Sequence, residues 1–227
     1  MKNTLTLLIV LVSSLSFGQK IEEEKLWRTK GVYDSLGNFI ERAKIQSFLF
    51  SSKSNQLYRL RTQDRLNMET GETKVFVYRD TLNLKSSDSN TYQLSDKETL
   101  TLHSRDSLTI QYNGYTLPYV KLDLQSNKID LEKLKSTLQE EPLIESVEGI
   151  KEYQFTYQKN GLVKVKPLER DSEWESEYKI IDFNGFIIIQ GIVSAPKLIT
   201  KLEKGKISFM EIDYRFENKN GELNKSY

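Results

Sequence analysis

From Leu26 onward the chain repeats one theme: short runs of aromatic and β-branched residues in period-two alternation, broken by clusters of Asn, Asp, Ser, Gly and Lys. Successive side chains of a strand turn to opposite faces, so this alternation predicts strands with one dry face and an antiparallel, all-β protein. Tyr58 and Leu60 alternate with Arg59 and Arg61, Val75 and Val77 with Phe76 and Tyr78, and Leu108, Ile110 and Tyr112 with Thr109 and Gln111. Turn signals stand at Leu36-Gly37-Asn38, Ser86 to Asn90, Ser104-Arg105-Asp106, Lys159-Asn160-Gly161, Asn184-Gly185 and Lys204-Gly205-Lys206. Asn-Gly suits a tight hairpin because both residues tolerate positive φ. Phe186-Ile187-Ile188-Ile189 is apolar on both faces, which predicts a central strand.

One segment departs from the pattern. Leu131, Leu134 and Leu138 fall at helical spacing between Asp130, a suitable N-cap, and Pro142, which cannot continue a helix. Residues 130–140 are the expected helix, within a helical connector 125–149. It divides an N-terminal β region, 26–124, from a second, smaller β-meander, 150–216. The remainder, 217–227, lacks apolar periodicity and reads as a loose tail. Phe155-Thr156-Tyr157, Val163-Lys164-Val165, Tyr178-Lys179-Ile180 and Phe186-Ile187-Ile188 echo a similar order of motifs in the first half, as two successive meanders would.

The first residues have a different character. Lys2, the apolar run Leu5 to Val12 and the small-residue stretch Ser13 to Gly18 form the three regions of a signal peptide, residues 1–18, cut before Gln19. The run is too short to span a bilayer. The reading is an exported protein of the periplasm, cell surface or medium. The chain of 227 residues has no cysteine, which excludes disulfides, thiolate nucleophiles and thiolate metal sites. With 33 basic against 32 acidic side chains it lacks the basic excess of a nucleic-acid binder. Residues 25–85 carry 12 Lys and Arg against 6 acids and residues 130–182 carry 8 against 13, a contrast that screening at physiological salt blunts.

Candidate chemistry is sparse. His103 is the only histidine, without the second His or carboxylate cluster that a metal site needs, so no metal and no cofactor is expected. Ser104, Ser107 and Asp106 surround it, yet no nucleophile elbow accompanies them. Glu173, Glu175 and Glu177 stand at alternate positions beside Trp174, the arrangement from which a secreted carboxylate-dependent glycan-acting enzyme would be built. The simpler reading is a solvated edge strand. Glu211 and Asp213 read as the wet side of a strand whose dry side is Met210, Ile212, Tyr214 and Phe216.

Leu26-Trp27, Phe48 to Phe50, and Thr91-Tyr92-Gln93-Leu94-Ser95-Asp96-Lys97-Glu98-Thr99-Leu100-Thr101-Leu102 resemble the lipocalin-like (calycin-type) domains of exported Bacteroidetes proteins, chiefly over residues 26–124. The resemblance implies an antiparallel lipocalin-like up-and-down barrel, followed here by the helix and the second meander. Lipocalins proper carry Gly where this chain has Lys25. A barrel cavity would be lined by Trp27, Tyr58, Leu60, Tyr92, Leu94, Leu100 and Leu102, each on the apolar phase of its strand or at the barrel floor. The function so implied is a non-enzymatic module of the cell envelope that binds a small apolar ligand or another envelope protein, with no nucleic acid and no integral membrane segment after cleavage.

Overall fold

The structure, a computed structural model, describes residues 24–40, 46–52, 56–66, 73–86, 88, 90–124, 129–191, 195–212 and 217–225. The expected signal peptide and Asp213, Tyr214 and Phe216 lie outside the described residues. By its contacts the chain divides into two compact units, the first drawn from 1–40, 49–58 and 81–122, the second from 41–48, 59–80 and 123–227. The described residues are all-β with one helix, as the alternation predicts.

The N-terminal strands are β1 (Lys25–Thr29), β2 (Gln46–Ser51), β3 (Gln56–Leu66), β4 (Thr73–Asn83), β5 (Lys85–Ser86), β6 (Thr91–Ser95), β7 (Glu98–Ser104), β8 (Ser107–Tyr112) and β9 (Tyr115–Leu122). They form a nine-stranded sheet in the order β4-β3-β2-β1-β9-β8-β7-β6-β5. Antiparallel pairing of β1 with β9 joins the two ends of the meander, as barrel closure would. The sheet nevertheless stays open between β4 and β5, which hold its two edges although only Leu84 separates them in sequence. With two residues, β5 is too short to ladder that seam. The expectation of a closed barrel over 26–124 is corrected accordingly.

The first unit's core follows from register. Leu100 lies opposite Ile110 and Ile110 opposite Leu117, while Leu102 lies opposite Leu108 and Leu108 opposite Tyr119. Each pair stacks apolar side chains on one face. Trp27, Leu49, Leu57, Leu82 and Tyr92 complete the buried cluster. The tight turn Asn113-Gly114 joins β8 to β9 with φ of 47° and 81°, the positive values that a two-residue hairpin requires.

In the second unit the helix, α1 (Leu131–Glu140), starts where Asp130 accepts hydrogen bonds from the backbone N–H of Glu132 (3.0 Å) and Lys133 (3.1 Å). It buries Leu134 and Leu138. After Pro142 come β10 (Leu143–Val147), β11 (Ile150–Tyr157), β12 (Leu162–Pro167), β13 (Trp174–Phe183), β14 (Phe186–Gly191), β15 (Lys197–Glu203), β16 (Lys206–Ile212) and β17 (Asn218–Lys225), which close into an eight-stranded antiparallel barrel. All of β14 is buried, in keeping with its two apolar faces.

Two boundaries differ from expectation. The connector 125–149 contains a strand, β10, and the tail 217–227 contains β17, which closes the barrel between β10 and β16. The tail carries little apolar signal because only Gly221 and Leu223 of β17 are buried. What fixes it is backbone hydrogen bonding on both sides, which leaves no trace in side-chain alternation. Gly221 is required by a close approach, since a Cβ there would meet Cζ of Phe209 at 2.3 Å.

The described edge of β4 is covered from within the second unit. Glu177 accepts from the Val75 N–H (2.7 Å) and the Lys179 ammonium donates to the Val75 carbonyl (2.6 Å). Arg79 donates to the carbonyl of Asp182 (2.9 Å) and Thr62 to the Gln190 side chain (3.0 Å). Side chains of β13 thus occupy an edge that would otherwise invite another strand.

Candidate functional site

The structure gathers five of the seven residues expected around a cavity in the first unit. Trp27, Tyr92, Leu100 and Leu102 are buried in its core, with Leu94 partly buried against it. Tyr58 and Leu60 are not in that cluster, although Leu60 is fully buried; Leu57, on the opposite phase of β3, packs into the first core. Both phases of β3 carry buried residues, Leu57 and Arg59 on one and Leu60 and Thr62 on the other, so alternation alone does not choose between them. The Arg59 guanidinium pairs with Asp80 at 3.0 Å, as does that of Arg61 at 2.8 Å.

The residues that suggested hydrolysis hold other partners. Lys164 pairs with Glu173 at 3.3 Å, Gln158 donates to Glu175 at 2.8 Å, and Glu177 caps β4. His103 Nε2 lies 3.0 Å from the Thr109 hydroxyl, while the Ser104 and Ser107 hydroxyls pair at 2.9 Å and Asp106 faces Lys121 at 3.6 Å. The catalytic order Ser, His, Asp is not assembled by these contacts.

The unusual chemistry lies inside the closed barrel. Leu143, Phe155, Tyr157, Val163, Val165, Tyr178, Ile187, Ile189, Ile199, Ile207, Phe209 and Leu223 face its core with Leu134 and Leu138 of α1. Glu145 shares the inward phase of Leu143, Lys197 that of Ile199, and Glu211 that of Phe209. The Lys197 ammonium lies 2.8 Å from Glu145 Oε2 and 3.4 Å from Glu211 Oε2. Its side chain is 1% exposed, against 9% for Glu145 and 15% for Glu211. The rings of Phe209 and Phe155 flank the ammonium at 5.3 and 5.6 Å, within cation–π range.

Despite these distances, Lys197 Nζ and Glu145 Oε2 lack a hydrogen bond of acceptable geometry. Trp174 Nε1 is likewise buried without an acceptor. Trp174 meets Tyr153 edge-on at 6.2 Å, and Tyr153 in turn lies 6.2 Å from Phe155, so an aromatic row leads toward the charged group. Burial holds the Glu211 carboxyl above its ordinary value, outweighing the attraction of Lys197, and the charge of Glu145 acts in the same direction. Burial also pushes the Tyr157 hydroxyl upward, again with help from Glu145.

Glu211 was expected on the wet side of its strand; it points inward beside Phe209 and Ile207. The available signal was a charged residue two positions from strongly apolar neighbours on each of three strands. At the other end of β17, Lys225 binds the carboxylates of Glu141 and Glu140, fastening the helix end to the closing strand. Among the described residues no helix is long and apolar enough to cross a membrane.

Comparison with known families finds no family model that matches the chain, and comparison with curated proteins finds no match. The all-β fold with its eight-stranded barrel defines the class, and the chemistry of the barrel interior carries the functional reading.

Proposed function

We propose that the chain is an exported, non-enzymatic, lipocalin-like binding module of the cell envelope, and that its small ligand enters the eight-stranded barrel of residues 143–225. The carrying observation is the Lys197, Glu145 and Glu211 group, buried among aromatic rings with polar atoms lacking hydrogen bonds. Removing an ion from water costs several kcal/mol even after relaxation, and apolar residues of similar volume commonly serve a filled core as well or better. Polar atoms placed inside a barrel at that cost supply specific contacts to a molecule that displaces water. Glu173, Glu175 and Glu177 do not favour the glycan-acting reading, since each is engaged in an ion pair or hydrogen bond within the fold.

Native mass spectrometry of protein purified from its own host tests this reading. A small molecule should be retained, and Lys197→Met should release it. A bare chain that also fails to take up an apolar fluorophore would contradict the proposal. Cell fractionation checks the compartment: processed protein outside the inner membrane is expected, whereas unprocessed protein held in that membrane would remove the export assignment.

A further inference from the structure

Within the second unit, β4 and β13 run side by side in the same direction: Val75 meets Glu177 and Lys179, and Arg79 meets Asp182. These links, of 2.6 to 2.9 Å, are made by side chains reaching to backbone groups, and they leave a space between the two strands. That space is a groove of about 530 Å³, open to solvent and lined by Val77, Arg79, Lys179, Ile180 and Ile181. Its volume falls in the range of small-molecule sites. We propose that the groove binds a small amphipathic anion, a carboxylate on an apolar body, with its head on Arg79 and its body along Val77, Ile180 and Ile181. None of these residues belongs to the Lys197, Glu145 and Glu211 group, so the proposal stands apart from the barrel reading.

Arg79 sets the preference. Among the described residues its guanidinium donates to the Asp182 carbonyl at 2.9 Å and has no carboxylate partner. The nearby acids are engaged elsewhere: Asp80 holds Arg59 and Arg61, and the Asp182 carboxylate accepts from the Gly185 N–H at 2.9 Å. A carbonyl contact orients the guanidinium without neutralising it, and the remaining N–H groups of its planar fork suit a carboxylate. Lys179 is more committed, since its ammonium donates to the Val75 carbonyl and lies 3.8 Å from Glu177. Two cations thus face one carboxylate around an apolar floor. An entering ammonium would meet Arg79 and Lys179 as like charges, and an alcohol would cover the same apolar surface without the pairing. Because water reaches the groove, the pairing is worth roughly three- to fivefold in affinity, at most about 1 kcal/mol.

Three probes with one apolar body and different heads decide the matter: 4-phenylbutyrate, 4-phenylbutan-1-ol and 4-phenylbutylamine, titrated into the full chain and followed in 1H–15N spectra. The carboxylate should bind roughly three- to fivefold more tightly than the alcohol, and the amine least tightly. Arg79→Gln should erase the preference for the carboxylate while leaving binding of the alcohol. Lys159→Gln, which removes an exposed cation that does not line the groove, should keep it. On the unaltered chain, added salt should weaken the carboxylate and spare the alcohol, an arm that decides the question even if the Arg79 variant does not fold. Lys197→Met should leave binding of 4-phenylbutyrate unchanged, so this site and the barrel reading fail separately. Alcohol or amine binding as tight as that of the carboxylate, a preference that survives Arg79→Gln or is indifferent to salt, or no binding of the carboxylate would overturn the anion site.

Discussion

The two units use the same alternation of strand residues to different ends. In the first, the inward phase is apolar throughout the clustered core, from Trp27 to Tyr119. In the second, the sheet closes completely and its inward phase admits Lys197, Glu145 and Glu211 among the aromatic rings. An apolar core stabilises its fold through burial alone. Enclosed charge adds little net stability, which points to a use other than folding. The difference separates an apolar core from one with charged groups among its aromatic rings.

The largest effect should come from splitting the buried ion pair. Lys197→Ala leaves Glu145 enclosed without its cation and should cost about 3–5 kcal/mol. Replacing both, Lys197→Met with Glu145→Leu, should recover most or all of that loss, within about 1 kcal/mol of the parent or above it. Chemical denaturation of the three proteins checks both values. If the double replacement were as unstable as the single one, the charges would be structural.

Leu100→Ala in the first unit sharpens the contrast. A filled core should lose roughly 2–5 kcal/mol through the void, with no change in fluorophore uptake. Gly221→Ala should cost about 1–3 kcal/mol by forcing the Phe209 ring aside, and it should also alter ligand uptake because that ring borders the charged group. Parallel melting curves and uptake measurements distinguish the two variants.

The smallest effect is a pH dependence. A carboxyl whose folded-state value lies above its unfolded one binds the proton more tightly when folded, so its ionisation opposes folding increasingly as pH rises from the ordinary value of 4.5 through the raised one. Glu211→Gln removes this penalty. Relative to the parent, its melting temperature should therefore climb across that window and level off above it. A difference that is flat or reversed would show that Glu211 is not held up by burial.

Much of the fold was legible where its cause is local. Asp130, Leu134, Leu138 and Pro142 specify a helix within a few residues, and Asn184-Gly185 adopts the positive φ values of 53° and 85° that its composition suggests. Leu100, Leu102, Leu108 and Ile110 face the same way because alternation fixes one phase per strand. The location of closure was not legible, since it depends on whether distant strands such as β10 and β17 pair. Alternation places Tyr58 and Leu60 on the inward phase of β3 because arginine is usually outside; Leu60 is indeed buried, but so are Leu57 and Arg59 on the other phase, where Asp80 pairs with the guanidinium. The same assumption sent Glu211 outward, although Lys197, fourteen positions earlier in sequence, brings a compensating charge across the strand pair.

The chain has two tryptophans, Trp27 in the first core and Trp174 on the barrel wall, so its indole N–H groups report on the two units separately. The most direct test is a 1H–15N spectrum during titration with an apolar fluorophore, with the indole signals assigned by Trp174→Phe. The account predicts that the Trp174 signal shifts in a saturable manner while that of Trp27 stays in place. A shift confined to Trp27, or no saturable shift of Trp174 at concentrations where the fluorophore is taken up, would contradict ligand binding in the barrel.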